Sequence, residues 1–318
     1  MNHIENKLMQ SFASSFKGDF SEFKFQILEK EYFTFSALEF LPDDDFDCGF
    51  GASFERQSAA VKAIAEFFER KAARLFFTDV NNALDHHHGQ TYAHKAFQTT
   101  NGWAVHQTIE QAKSAAYLEA LERHILLCSF IQFGWDGFTL IDKKETSDVE
   151  FYSIVSKFSC NGYKAGIAIA KSKKISGVTF GYLCVKEDEI LNSSKWEHAM
   201  FEALGQIEMH LKIENAESLK PRGSLEEMAQ WYLLTNWVEP KFSSHLESIK
   251  LKDVSPNFYE EDLSKTCGAP LIASYCYGGG LLPLFFPMNL NDHSRNYVTD
   301  ILSANGLSNL IPERHPVL

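Results

Sequence analysis

The chain has 318 residues, 45% of them hydrophobic and 23% charged, with a formal net charge of −12. Such a length and balance supply a substantial core and exclude general disorder, and the acidic excess argues against non-specific binding to a nucleic-acid backbone. The six cysteines (Cys48, Cys128, Cys160, Cys184, Cys267 and Cys276) form no Cys-x-x-Cys pair. With no charged-then-apolar secretion signal at the start, they predict reduced, mostly buried thiols in a cytoplasmic protein. The longest apolar runs, such as 125–133, are too short to span a membrane.

Residues 1–46 are rich in Phe and mixed in charge; 23–28 and 32–40 read as short strands, and Asp43-Asp44-Asp45 as a loop. Gly49-Phe50-Gly51 leads into an Ala-rich helical stretch over 55–77. Its apolar stripe is Ile64, Phe67, Phe68 and Leu75, with Lys62, Glu66, Glu69, Arg70 and Ala73 on the other side. A polar loop containing His86-His87-His88-Gly89 follows. The second helix is expected from 108 to 130, with Tyr117, Leu121, Ile125 and Cys128 as core candidates.

Residues 151–158 read as a helix, and 164–170 and 177–185 as a hairpin-like pair of strands. A third, acidic helix from 195 to 214 carries His198, Glu202 and Gln206. Beyond Pro221 the pattern is helical around 225–234 and mostly irregular to 265. Strands are then expected at 271–277 and 281–286 around a Gly278-Gly279-Gly280 turn, which lacks the context of a P-loop. Neither a low-complexity tract nor a linker is evident, so the reading is one mixed α+β domain, with 1–46 its strand-rich N-terminal segment and 47–318 the remainder.

One phrase is written twice. Gly49 is followed by Glu66, Glu69 and Arg70, and Gly102 by Glu119, Glu122 and Arg123, every position shifted by 53 (66 to 119). Glutamates at i and i+3 share a helical face, and the arginine stays within one turn. Taken singly, Glu66–Arg70 and Glu119–Arg123 are i,i+4 pairs of a common solvent-exposed kind. Duplication sets them apart: two such helices facing each other would gather four carboxylates and two guanidinium groups around one space. So many acids together need cations, which points to a divalent metal with a polyanion such as a nucleoside triphosphate. The His86-His87-His88 run, with His94 nearby, reads instead as a solvated loop, because adjacent loop histidines cannot all face one metal.

These motifs carry a family resemblance. Asp47-Cys48-Gly49-Phe50-Gly51 followed by 58–70 resembles the first ATP-site helix of the YcaO family, which reads Gly-Lys-Gly and then Ser-Ala-x-x-Glu-Ala-x-Glu-Arg. Thr100-Asn101-Gly102-Trp103-Ala104, Thr108-Ile109-Glu110-Gln111-Ala112 and 119–123 are similar to its second element. His198-Ala199-Met200-Phe201-Glu202-Ala203 is similar to its third helix, and the tail, with Pro312 and Pro316, to the proline-rich family C-terminus. Departures are Phe50 for lysine, Lys62 for serine, Gln107 for asparagine, Gln111 for glutamate, and His198 for glutamine or arginine.

The resemblance implies a YcaO-like α+β domain of mixed sheets that binds ATP and Mg²⁺ among acidic helices. Glu66, Glu69, Glu119, Glu122 and Glu202 would serve as metal ligands, directly or through water. Arg123 and Arg70 would contact the phosphates, and Lys62, Gln107, Gln111 and His198 occupy further nucleotide-site positions. It assigns no catalytic residue beyond that site. Family members activate a peptide backbone amide: a nucleophile adds to the carbon, the oxygen is phosphorylated, and phosphate leaves, giving an azoline or a thioamide in a ribosomally made peptide or protein. No leader-recognition module is visible at the N-terminus, so a separate substrate-presenting partner is expected, with a homodimer by analogy and no role for nucleic acid or membrane. The rival expectation is a divergent accessory protein that binds nucleotide or a partner without catalysis.

Overall fold

The computed structural model describes residues 3–27, 30–41, 46–82, 100–173, 177–213, 237–284 and 292–307. In chain order these form α1 (His3–Ser15), β1 (Asp19–Ile27), β2 (Lys30–Phe40), β3 (Phe46–Ser53), α2 (Arg56–Asn82), β4 (Trp103–His106) and α3 (Ile109–Phe133). Next come β5 (Phe138–Glu145), β6 (Val149–Cys160), β7 (Tyr163–Ser172), β8 (Val178–Lys186) and α4 (Lys195–Ile213). The chain closes with β9 (Ile249–Lys250), β10 (Asn257–Asp262), a short α5 (Leu263–Thr266), β11 (Ile272–Tyr277) and α6 (Asp292–Ala304). This is an α+β protein, as expected. Its described residues fall into two compact units, one within Met1–Ala93, Gln98–Tyr117 and Asn257–Tyr277, the other within Leu118–Pro256 and Gly278–Leu318.

The first unit holds two antiparallel three-stranded sheets, ordered β1-β2-β3 and β10-β11-β4. Ile64, Phe67 and Phe68 of α2 are buried with Leu8 and Phe12 of α1, Trp103 of β4 and Tyr275 of β11. Leu75, expected in that stripe, is only half-buried. Trp103 stacks on Tyr275 with centroids 4.9 Å apart. Helix α2 lies so close to β3 that a Cβ on Gly49 would sit 2.1 Å from Ala63 O, and one on Gly51 2.1 Å from Ala59 O. The Gly-x-Gly pair is therefore a helix–sheet contact in which no side chain fits. Gly51→Ala is expected to lower stability by about 1–3 kcal/mol through overpacking, read as the urea midpoint of the variant against wild type.

In the second unit an antiparallel sheet ordered β5-β6-β7-β8 carries β9 in parallel on β6. Trp196 and Ala199 of α4 are buried against Val155, Ala168, Leu183 and Val185 of the sheet. The α4–β8 approach again depends on glycine, since a Cβ on Gly181 would lie 1.9 Å from Ala199 O. Leu121, Ile125 and Cys128 of α3 are fully buried, as expected, whereas Tyr117 is partly exposed.

Several sequence expectations change. Residues 151–158, read as a helix, lie in strand β6. Nearly every residue of β6 is buried, so the alternation that marks a half-buried strand is missing, and a continuous apolar run has no diagnostic period. The better signal was Asn161-Gly162, both at positive φ (51° and 78°), which forms the tight turn into β7. The stretch read as irregular up to 265 contains β9 and β10. The part of 281–286 within the described residues, 281–284, is not a strand, and Leu281 N donates to Gly278 O. The triple glycine is a turn, with φ of 69°, 59° and 92°.

The hairpin-like pair is found as β7–β8. Helices α1 and α6 were not anticipated. The expected loop at 43–45, the histidine run with His94, the helical stretch at 225–234 and the proline-bearing tail at 311–318 lie outside the described residues. Among the described residues no helix is long and apolar enough to cross a membrane. All six cysteines are free, four of them buried, as their scatter predicted.

Candidate functional site

In the first unit, α2 presents Lys62, Glu66, Arg70 and Arg74 at four-residue spacing, one line on a helix, to the edge of β3 that β2 leaves open. Lys62 Nζ donates to Ala52 O at 3.2 Å, and Glu66 Oε2 accepts from Phe50 N at 3.1 Å. Arg70 Nη2 donates to Glu66 Oε1 at 2.5 Å, and Arg70 Nη1 to Cys48 Sγ at 3.0 Å. Arg74 binds the buried Asp47 with two bonds of 2.7 Å. Burial works against the charge of Arg70, but Glu66, with Cys48 and Glu69, more than offsets it and holds the guanidinium above its usual range. Burial pushes the Cys48 thiol up although Arg70 lies beside it. The first copy of the repeat is thus an i,i+4 pair, half-buried and tied to a strand edge.

The second copy has different surroundings in its own unit. Arg123, on α3, is mostly covered, with its side chain 12% exposed, and its Nη1 lies 3.4 Å from Glu122 Oε1. The guanidinium carbon sits 4.1 Å from the ring centroid of Tyr182 on β8. Arg123 Nε and Nη1 are buried and without hydrogen-bond partners among the described residues. The next strand residue in this arrangement is shared with α4: Tyr182 N donates to Glu202 Oε2 at 3.4 Å.

Electrostatics follow from that enclosure. Burial pushes the Glu122 carboxyl up to about 7; Arg123 and Lys195 pull it down, while Glu202 pushes it further up. Burial also opposes the Arg123 charge, yet Glu122, Tyr182, Glu119 and Glu202 raise its pKa above the usual value. A carboxyl whose proton affinity burial and the neighbouring Glu202 raise, beside a guanidinium with unused donors, forms a site that can take both a cation and an oxyanion.

His124, the next residue of α3, is fully buried. Its Nδ1 accepts from Leu282 N at 2.9 Å, just after the glycine turn. Burial lowers its pKa to about 4.

Thus Glu66 is brought to Arg70 in the first unit, where Glu69 also acts on that guanidinium, and in the second Glu122 is brought to Arg123, on whose charge Glu119 and Glu202 also act. Lys62, expected at a nucleotide-site position, reaches Ala52 O. Gln107 and Gln111 are exposed, the latter at the start of α3, where its N–H donates to Thr108 Oγ1 at 3.3 Å. His198 is exposed on α4, one turn before Glu202. Among the described residues no three His, Cys, Asp or Glu side chains cluster closely enough to hold a metal ion by themselves. Sequence reasoning missed Tyr182, Lys195 and His124; only His124, next to a repeated motif on an otherwise apolar helix face, left a local trace.

No protein-family model and no curated protein sequence matches this chain. Solved structures do. YcaO from Methanopyrus kandleri, bound with AMPPCP and Mg²⁺, matches at a TM-score of 0.53 and 13% identity, over 87% of this chain and 89% of that one. A heterocyclase in complex with substrate and cofactor matches at a TM-score of 0.50 and 10% identity, over 98% of this chain and 57% of that one. The chain therefore spans little more than half the heterocyclase's length. At such identities the likeness is one of fold, and the fold is YcaO-like, as the motifs implied.

Proposed function

We propose that this protein binds ATP with Mg²⁺ and uses it to activate a backbone amide in a peptide or protein substrate, for azoline or thioamide formation. The observation that carries the reading is the second-unit cluster: a buried Arg123 with unused N–H donors beside Glu122 and Glu202. The M. kandleri protein of similar fold is bound with AMPPCP and Mg²⁺, which supports the ligand class. The donor chemistry fits. Mg²⁺ with a nucleotide takes one or two carboxylates together with phosphate oxygens and water, so a pair of glutamates suffices.

In this reading Glu122 and Glu202 hold the cation, and Arg123 donates in its plane to the phosphates. The cation relieves the mutual repulsion of the two carboxylates, so Glu122 is ionised when ligand is bound. Glu66, Glu69 and Glu119 remain proposed ligands, and Arg70, Lys62, Gln107, Gln111 and His198 proposed nucleotide contacts. ATP would supply the phosphoryl group that makes the amide oxygen a leaving group, and Mg²⁺ the neutralisation that this transfer requires. The residues contribute position and charge rather than a covalent nucleophile. A separate protein that presents the substrate belongs to the proposal, as does a cytoplasmic location.

Calorimetry of ATP binding, with and without Mg²⁺, tests it on wild type and on Glu122→Gln/Glu202→Gln. Metal-dependent binding that the double variant loses is the expected result. Binding by the variant at wild-type strength, or none by folded wild type, would sink the assignment. Binding without peptide-stimulated ATP hydrolysis would instead favour a nucleotide-binding accessory protein.

A further inference from the structure

Arginine in a phosphate site works through its planar fork of donors, and a flexible arginine must give up side-chain freedom to present it. Here Arg123 has that freedom removed on one face. Tyr182 covers the guanidinium at 4.1 Å from ring centroid to carbon, and both side chains are largely buried. Two of its nitrogens, Nε and Nη1, are buried and have no hydrogen-bond partner among the described residues, although Nη1 lies 3.4 Å from Glu122 Oε1.

The strand that carries the ring is itself held against α4. Thr179 Oγ1 donates to Ala203 O at 2.6 Å, Gly181 abuts Ala199 O, and Tyr182 N donates to Glu202 Oε2. Three of four consecutive β8 residues are thus fastened to the helix that carries Glu202.

We propose that Tyr182 is a positioning residue for phosphate recognition, holding the Arg123 guanidinium against its ring so that its orphaned in-plane donors are kept for a nucleotide phosphate. The inference rests on the ATP reading above and adds a residue that no motif in the chain indicates. Because β8 ties Tyr182 to Glu202 as well, the same strand residue sets the spacing between the phosphate donor and a metal-binding carboxylate.

The probe is AMPPCP with Mg²⁺, with affinity measured by calorimetry and folding by the thermal midpoint. Tyr182→Phe keeps the ring face and is expected to bind like wild type. Tyr182→Leu removes it and should weaken binding about tenfold, equal to about 1.4 kcal/mol, within the range of a desolvated cation–π contact. A fluorinated phenylalanine at the same position preserves shape but withdraws charge from the ring face, so its affinity should fall below that of Tyr182→Phe with no change in midpoint. This comparison decides the matter even if Tyr182→Leu fails to fold.

Unchanged affinity across Phe, fluorinated Phe and Leu, with wild type binding, overturns the positioning role and leaves the ATP reading standing. A loss already complete in folded Tyr182→Phe also overturns it, since the hydroxyl rather than the face would then matter. No binding by folded wild type overturns both.

Discussion

Arg123→Ala is expected to lower ATP affinity by about a hundredfold, close to 3 kcal/mol, in line with the loss of charge-assisted hydrogen bonds from a covered site. The reason lies in what already surrounds the side chain. Its pairing with Glu122 is a 3.4 Å ion pair, and two of its donors are unused, so phosphate contacts are gained without breaking existing hydrogen bonds. Arg123→Lys separates charge from shape: it keeps a cation near Glu122 but loses the fork, and should recover only part of the affinity. Titration calorimetry on the three proteins measures both effects. Equal affinity in wild type and Arg123→Ala would remove Arg123 from the site.

His124 should make stability fall as the solution is acidified. Its folded pKa, about 4, lies below the ordinary value of 6.5 because burial disfavours the charged ring. Below pH 6.5 the unfolded chain takes up a proton that the native imidazole refuses until about pH 4. The contribution is fully present above 6.5 and is lost as pH falls. Between pH 6.5 and pH 5 the loss from this group is about 2 kcal/mol. The informative quantity is the difference between wild type and His124→Gln in urea unfolding at the two pH values. His124→Gln should show the shallower dependence by about that amount; parallel curves would mean that the native ring accepts its proton normally. Protonation would also remove the Nδ1 acceptor that Leu282 N uses, so acid unfolding is expected to start near the glycine turn.

Legibility differed sharply between elements. Helix α2 was readable because it is an Ala-rich stretch whose apolar residues recur at helical spacing, and α3 because it is Ala-rich and free of glycine and proline, although its second half is apolar and buried on nearly every side. Strands β7 and β8 were readable as two β-rich runs around a polar connection. Strand β6 was not, because burial along almost its whole length erases the period of two. Strand β10 carries four polar residues among its six, so its pairing with β11 is a tertiary fact with almost no local trace. Helix α1 had a usable signal, with Leu8 and Phe12 one turn apart and both buried, but it sits in a Phe-rich segment that suggests strands.

Of the candidate site, the sequence alone determined the carriers: two helices with Glu-x-x-Glu-Arg, and a third with Glu202. That much is local, because a helix places i, i+3 and i+4 on one face wherever it folds. What each arginine meets was decided only by the tertiary structure. Arg70 is tied to Glu66 and to Cys48 of a strand edge, with only Nε left over, whereas Arg123 lies over Tyr182, 59 positions further along (123 to 182), with Nε and Nη1 both left over. Identical local phrases thus acquire different chemistry, because desolvation and strand neighbours far away in sequence set the protonation and hydrogen bonding of each group.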